Sequence, residues 1–450
     1  MKTLKSICWS LLITAAGLPL ATGQGNPTHI NPALLYYQAF LVAPDMSEAD
    51  HDYLVYNEWQ GQQLPARFGE LMARYDNEFK LLRQAARSTA PCDWGIDMSD
   101  GPATLLPHLA RTKATVLTAR LRALWFLQQG RQAEARDDLL AAFVLGRNVS
   151  RDGTLISMLV QHAMAAISCR NMAEVFGRFS TDNLQGLLDG IKAAPPPRSA
   201  AECVATETAF FQDWTRREIQ ELHQANPGND PQVMVGIHEM LANALNPHEG
   251  PQDAQPNQTR MSGGTRVAQA GMPRYDQSGR ADWWTRLTQA AGGTSEGVVK
   301  LIGDLDSFEQ KLAAILVLPL GEYEDQMARF KAETQSSPNP IPALLLPSWE
   351  HARPKELRAM AAVGMVRTAV QYKLHGLAGL QTETDPWSQG PFGFRRFIFQ
   401  GVDRGFELTS AYPLNPWPEV LIFVEKNGPP FHVDGRLAGQ PRPSTYPKLP

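Results

Sequence analysis

The stretch Leu105–Arg147, LLPHLARTKATVLTARLRALWFLQQGRQAEARDDLLAAFVLGR, decides how this chain folds. Leu105, Leu109, Val116, Leu117, Leu121, Leu124 and Trp125 form one apolar stripe at helical spacing, and Gln129-Gly130 stops it. A second helix, Ala133 to about Arg147, places Leu139, Leu140, Phe143 and Val144 on one side. Small residues such as Ala123, Ala135 and Ala142 let two such helices approach closely, so the expectation is an antiparallel helical hairpin.

The same periodicity continues on both sides. Upstream, Ala33-Leu34-Leu35-Tyr36-Tyr37 begins a helix, and Leu64 to Arg87 carries Phe68, Leu71, Met72, Tyr75, Phe79 and Leu82 at spacings of three and four. Pro91 to Pro102 interrupts this as a loop, and Ser99 or Asp100 followed by Pro102 predicts the next helix start. Downstream, Thr154 to Phe176 is apolar almost all round, which predicts a buried helix, and Thr181–Lys192 and Ala200–Gln224 follow as further helices. From 225 to 280 Asn, Gln, Gly and Pro dominate, apart from a helical patch at Val233–Leu245, and the stretch reads as a flexible polar insertion. Helix returns over 281–335, and a Pro-punctuated connection spans Ser337–Pro354. Lys355–Leu374 is a last helix. Phe392–Phe399 and Gly405–Ser410 read as strands around Gly401-Val402-Asp403-Arg404, with Val420–Val424 as a third.

The expected fold is therefore mainly α. An array of antiparallel helical hairpins covers 30–224, and the insertion and the 281–335 helical segment follow. A small α+β module, helix plus β-hairpin, covers 354–426, and a Pro-rich tail runs from 427 to 450.

The first 23 residues point to export. Lys2 and Lys5 precede the apolar run Ile7–Leu20, and Ala21-Thr22-Gly23 offers small residues for cleavage, so 1–23 reads as a secretory signal and the expected location is periplasmic or extracellular. The run is on the order of 14 residues where a membrane helix needs ~20. The best later candidate for a span, Leu312–Leu320, holds only nine residues and Pro319, so no transmembrane span is expected after cleavage. A net charge of -4 lacks the basic excess that nucleic-acid binding uses. Beyond Cys8, the thiols Cys92, Cys169 and Cys203 are odd in number and read either as one disulfide plus a free thiol or as reduced core residues.

Complete catalytic motifs are missing. His238-Glu239 lacks the second histidine of a zinc-protease helix, and no histidine or cysteine spacing suits a metal, so neither metal nor cofactor is expected. The sequence contains no GxSxG elbow, Walker loop or GxGxxG between strand and helix. One constellation carries a catalytic reading. Asp93, Asp97 and Asp100 crowd around Trp94, with His108 in the next helix, and Asp93 and Asp97 with His108 or Glu207 are candidates for acid–base work on a glycan. The structural reading has Asp100 capping a helix, Trp94 plugging a gap, and Asp93 and Asp97 solvated or bonded to loop amides. His162 and Cys169 are seven apart, ~10 Å along one helix, and make no pair. Tyr36, Tyr37, Tyr53, Tyr56, Trp59 and Trp94 are candidates for a binding groove or for packing; of these Tyr36, Tyr37, Trp59 and Trp94 are the binding residues of choice. The balance favours a noncatalytic scaffold that binds a peptide or protein partner, with a hydrolase of envelope polymer or glycan as the alternative.

Three resemblances accompany this reading. Ala123, Phe126, Gly130, Ala135, Leu139 and Ala142 resemble one tetratricopeptide-type hairpin, and no second copy follows at that period. Asp385-Pro386-Trp387 before the strands and Gly405-Phe406-Glu407-Leu408 in the second resemble the globular end of type II secretion pseudopilins. That likeness implies a packing module without pilus function. Taken whole, the chain is similar to a group of secreted, helix-rich proteins of planctomycete and verrucomicrobial bacteria, through Asn31-Pro32-Ala33-Leu34-Leu35-Tyr36-Tyr37, Cys92-Asp93-Trp94-Gly95-Ile96-Asp97 and Arg151-Asp152-Gly153-Thr154-Leu155-Ile156. The likeness implies a secreted helical fold and brings no activity with it.

Overall fold

The computed structural model describes residues 29–47, 64–245, 277–414 and 417–426. The signal-like stretch 1–23, Tyr53, Tyr56, Trp59, residues 246–276 and the 427–450 tail lie outside the described residues. Among those described, the fold is mainly α with one small antiparallel sheet at the C-terminal end.

The deciding hairpin forms as α4 (Pro107–Gln128) and α5 (Gln132–Asn148), antiparallel and turned at Gly130, whose φ of +74 suits a residue without a Cβ. Its start differs from expectation. Pro102 opens only a short 3-10 turn, Gly101–Ala103, and Asp100 makes no side-chain cap. A helix begun at Pro102 would carry Pro107 in its interior, where the ring collides with the carbonyl four residues back. At the first position of α4 the same proline is favourable. Leu105 consequently lies outside the helix, 84% exposed, and off the stripe.

Before the hairpin come α1 (Pro32–Val42), α2 (Arg67–Arg74) and α3 (Asp76–Ala86), and after it α6 (Leu155–Val175), α7 (Thr181–Ala193) and α8 (Ala200–Ala225). Sequence explains several of these ends. Thr154 caps α6 by accepting from the Ser157 amide, and Ser199 with Glu202 forms a reciprocal capping box on α8. The helical patch expected within the polar stretch after α8 forms, beginning three residues before Val233. There α9 (Asp230–Leu245) packs on α8, burying Val233, Ile237 and Leu241. The expected helical segment divides into α10 (Gln277–Ala290), α11 (Ser295–Gly303), α12 (Asp306–Leu316) and α13 (Leu320–Ser336), broken at Gly292-Gly293 and Pro319. The proline-rich connection contains α14 (Ile341–Leu345).

The last helix, α15 (Ala352–His375), leads to β1 (Gly393–Phe399), β2 (Val402–Leu414) and β3 (Trp417–Val424), antiparallel in the order β1-β2-β3. Gln400 and Gly401, at φ of +51 and +75, make the two-residue turn, so β2 begins three residues earlier than its pattern suggests. Asp385 holds this module from inside. Its buried carboxylate accepts from the Ser410 hydroxyl at 2.8 Å, the Ala411 amide at 2.7 Å and the Trp387 amide at 3.1 Å.

The module and the hairpins share one core. α15 lies against α6, and the largest apolar cluster runs from α1 through α7 into α15 and the sheet. Phe176, just after α6, meets Phe406 and Phe423 edge-to-face at 5.7 and 5.2 Å. No helix among the described residues is long and apolar enough to cross a membrane.

Candidate functional site

Three stretches far apart in sequence converge on Trp94. Asn31 caps α1 by accepting from the Ala33 amide at 3.0 Å, and the same side chain accepts from the Asp93 amide and donates to the Asp93 carbonyl. This fastens the Pro91–Asp100 loop beside α1. The Trp94 indole then enters the core, 4% exposed, stacked on Tyr36 at 5.6 Å and on His108 at 4.4 Å, with Tyr37 edge-on at 5.4 Å. Its Nε1 donates to the Asn148 carbonyl at 2.8 Å, and the Asn148 side chain donates to the Tyr36 hydroxyl. Burial raises the Tyr36 phenol well above its ordinary range.

Behind His108 lies a second polar shell. His108 Nε2 is 3.2 Å from the Val149 carbonyl and 3.4 Å from Asp152 Oδ2. Asp152 accepts from the Thr154 amide and hydroxyl and from the Ser157 hydroxyl at 2.6 Å, and Ser150 donates to Gln161 at 2.6 Å. Gly153, at φ of +85, makes the turn possible, because a Cβ there would lie 2.8 Å from Thr206 Cγ2. Glu207, on α8, reaches across to the Leu155 amide at the start of α6. Burial holds its carboxyl above the usual range, against the pull of that amide, and the Asp152 charge adds to the rise.

The acid–base pair of the alternative, hydrolase reading does not assemble. Asp93 and Asp97 are exposed, and each accepts from an amide of its own loop, Gly95 and Ser99, both at 2.9 Å. The Ser99 bonds hold the Asp97 carboxyl below its ordinary range, opposite to what a general acid needs. His108 is 1% exposed behind Trp94. Tyr36 and Trp94 are core residues and form no open groove, and Tyr37 spends its hydroxyl on the Trp94 carbonyl at 3.1 Å. The sequence reading missed Asp152, Ser157 and Gln161, although the polar Asp152-Gly153-Thr154 run before an apolar helix was a legible capping signal.

A buried charge cluster was also missed. Arg122, inside the α4 stripe, is 1% exposed, lies over the Phe79 and Phe126 rings at 4.6 and 4.8 Å, and pairs with Asp138 at 2.8 Å and Asp76 at 2.9 Å. Arg83 completes the Asp138 contacts. Glu78 sits nearby with one oxygen bonded to the Thr115 hydroxyl at 3.1 Å and the other without a partner. Burial pushes its carboxyl up to about 7, opposed by the Thr115 bond and the Arg122 charge and assisted by Asp138.

Two further places bring polar and aromatic side chains together. A shallow groove of about 300 Å³ between α9 and α10 is lined by Pro231, Met234, Val235, His238, Trp284 and Thr288, and His238 rests on Trp284 at 4.6 Å. Beside it, the Ser295 hydroxyl is 2.8 Å from His223 Nε2 and bonds Asp230. A serine hydroxyl has one proton. With Asp230 accepting it, His223 has to donate to the oxygen and is no base, so the trio ties α11 to α8 and α9 and does not activate a nucleophile. Cys92, Cys169 and Cys203 are free thiols, and burial pushes each up to about 12, which removes thiolate chemistry. No group of metal-ligating side chains occurs among the described residues. Comparison with family models, with curated proteins and with solved structures finds no match to this chain.

Proposed function

We propose that this chain is a noncatalytic helical scaffold, exported to the periplasm or beyond, that binds a peptide or protein partner. The observation that carries the reading is the closure of the Trp94 node. Of the groups with the chemistry for catalysis, Asp152 and Glu207 bond backbone amides and neighbouring hydroxyls, and His108 is 1% exposed under the stacked Trp94 ring, with Nε2 toward the Val149 carbonyl and Asp152 and Nδ1 buried without a partner. The two acidic residues left in solvent point their hydrogen bonds at their own loop. A hydrolase acting through Asp93 and Asp97 would need one carboxyl held protonated beside the other, and these two lack that environment. Export and kinship with the secreted planctomycete and verrucomicrobial group belong to the same proposal and rest on the sequence features above.

The test is a peptide-display selection on the mature chain, with binding of enriched sequences measured by titration. A panel of chromogenic glycans is assayed in parallel. The proposal expects one enriched sequence class with saturable binding and no turnover. Absence of enrichment, or glycan turnover lost in Asp93→Asn/Asp97→Asn, overturns it.

A further inference from the structure

The groove between α9 and α10 is apolar inside and acidic at its rim. Pro231, Met234, Val235 and His238 recur at spacings of three and four, so they form one face of α9, and Trp284 and Thr288, four apart on α10, form the opposite wall. His238 lies against Trp284 with ring centroids 4.6 Å apart, and Val235 is 48% exposed. The space is about 300 Å³. A cavity of about 150 Å³ already holds a benzene ring, so this groove admits one large side chain. Inside it the Thr288 hydroxyl is buried without a hydrogen-bond partner, a cost that a ligand donor would remove.

The charge around this space has one sign. Glu239 stands one turn after Val235, and Glu296 follows by three residues Gly293, which also lines the groove. Both carboxylates are exposed, and among the described residues neither has an ion pair or hydrogen bond. The neighbouring cations leave them so. Arg286 donates to the Gln335 and Ser337 carbonyls, and Lys300, one turn beyond Glu296, forms no pair with it. Asp230, at the start of α9, accepts from the Ser295 amide and hydroxyl and thereby offsets the positive end of α11.

We infer that this groove is where the partner peptide docks and that it takes an arginine side chain. The alkyl stem lies along Met234 and Val235, the guanidinium faces the Trp284 ring, one of its N–H groups donates to the Thr288 hydroxyl, and Glu239 and Glu296 balance its charge. Arginine suits the wall better than lysine, because its planar cation stacks on an indole while still donating at its edge. The assignment rests on the partner-binding reading and adds to it a site and an anchor.

The test titrates the full chain at low salt with acetyl-Ala-Arg-Ala-amide and with the same peptide carrying citrulline, lysine or glutamate in place of arginine, following the Trp284 indole and His238 ring resonances by NMR. The arginine peptide should bind saturably, move both resonances, and bind roughly five- to thirtyfold tighter than its neutral citrulline isostere. Added salt should shrink that advantage. Glu239→Gln/Glu296→Gln changes exposed groups only and should reduce it to about twofold. Trp284→Leu should remove it. Equal affinity for arginine and citrulline, preference for glutamate, an unmoved Trp284, or an unchanged advantage in Glu239→Gln/Glu296→Gln overturns the inference, and equal binding of the lysine peptide overturns the guanidinium assignment. Display-enriched peptides that bind while Trp284 stays unmoved sink this site and leave the scaffold reading standing; absence of binding by every peptide, displayed or synthetic, sinks both.

Discussion

Replacing Trp94 with alanine should cost this protein a large part of its stability. The side chain is 4% exposed and stacks on Tyr36 and His108, so truncation opens a cavity where three aromatic faces meet. Trp-to-Ala changes in cores cost about 3–5 kcal/mol. The Asn148 carbonyl loses its donor as well, which adds about 1 kcal/mol for an unpaired buried acceptor. The sum, about 4–6 kcal/mol, is comparable with the whole stability of many domains. Trp94→Phe keeps a stacking ring and loses the hydrogen bond and some volume, for about 1–2 kcal/mol. Urea unfolding followed by circular dichroism measures both. A cost below about 1.5 kcal/mol for Trp94→Ala, or equal costs for the two variants, would refute the reasoning that this ring closes the node.

Glu78→Gln should stabilise the protein above neutral pH. The folded carboxyl titrates at about 7 against an ordinary 4.5, so between those values the folded state keeps a proton that the unfolded chain has released. The contribution of Glu78 is then fully present below 4.5 and is lost as pH rises toward 7, by about 3 kcal/mol in all; the difference between the unfolding midpoints of the two proteins from pH 4 to 8 should open over that window and close at its acid end. Asp385→Ala strands the Ser410 hydroxyl and the Ala411 amide and should cost about 2–4 kcal/mol, read by denaturant unfolding. Asp93→Asn/Asp97→Asn should leave the unfolding midpoint where it is, because both groups are exposed and the amide oxygen still accepts from the loop.

The helical architecture was legible because its signals are local. Periodic Leu, Phe and Trp residues, Gly130 at the hairpin turn and Pro195-Pro196-Pro197 after α7 mark elements without reference to the rest of the chain. Reading failed where two local signals competed, as with Pro102 and Pro107. The candidate site was legible only in part. Trp94 as a plug and Asp93 and Asp97 as loop-bonding residues follow from residue type. That His108 meets Asp152, or that Arg122 is neutralised by Asp138, depends on how α3, α4, α5 and α6 pack, and no spacing within one helix encodes it.

Hydrogen exchange at the Trp94 indole N–H, followed by NMR under native conditions, tests most directly the claim that the node is closed. The account predicts protection as strong as that of the best-protected core amides, because the indole donates to the Asn148 carbonyl inside the core and should exchange only on large-scale opening. Exchange as fast as that of an exposed indole would contradict it, since Trp94 would then swing out in the native state and uncover His108 and Asp152 to a substrate.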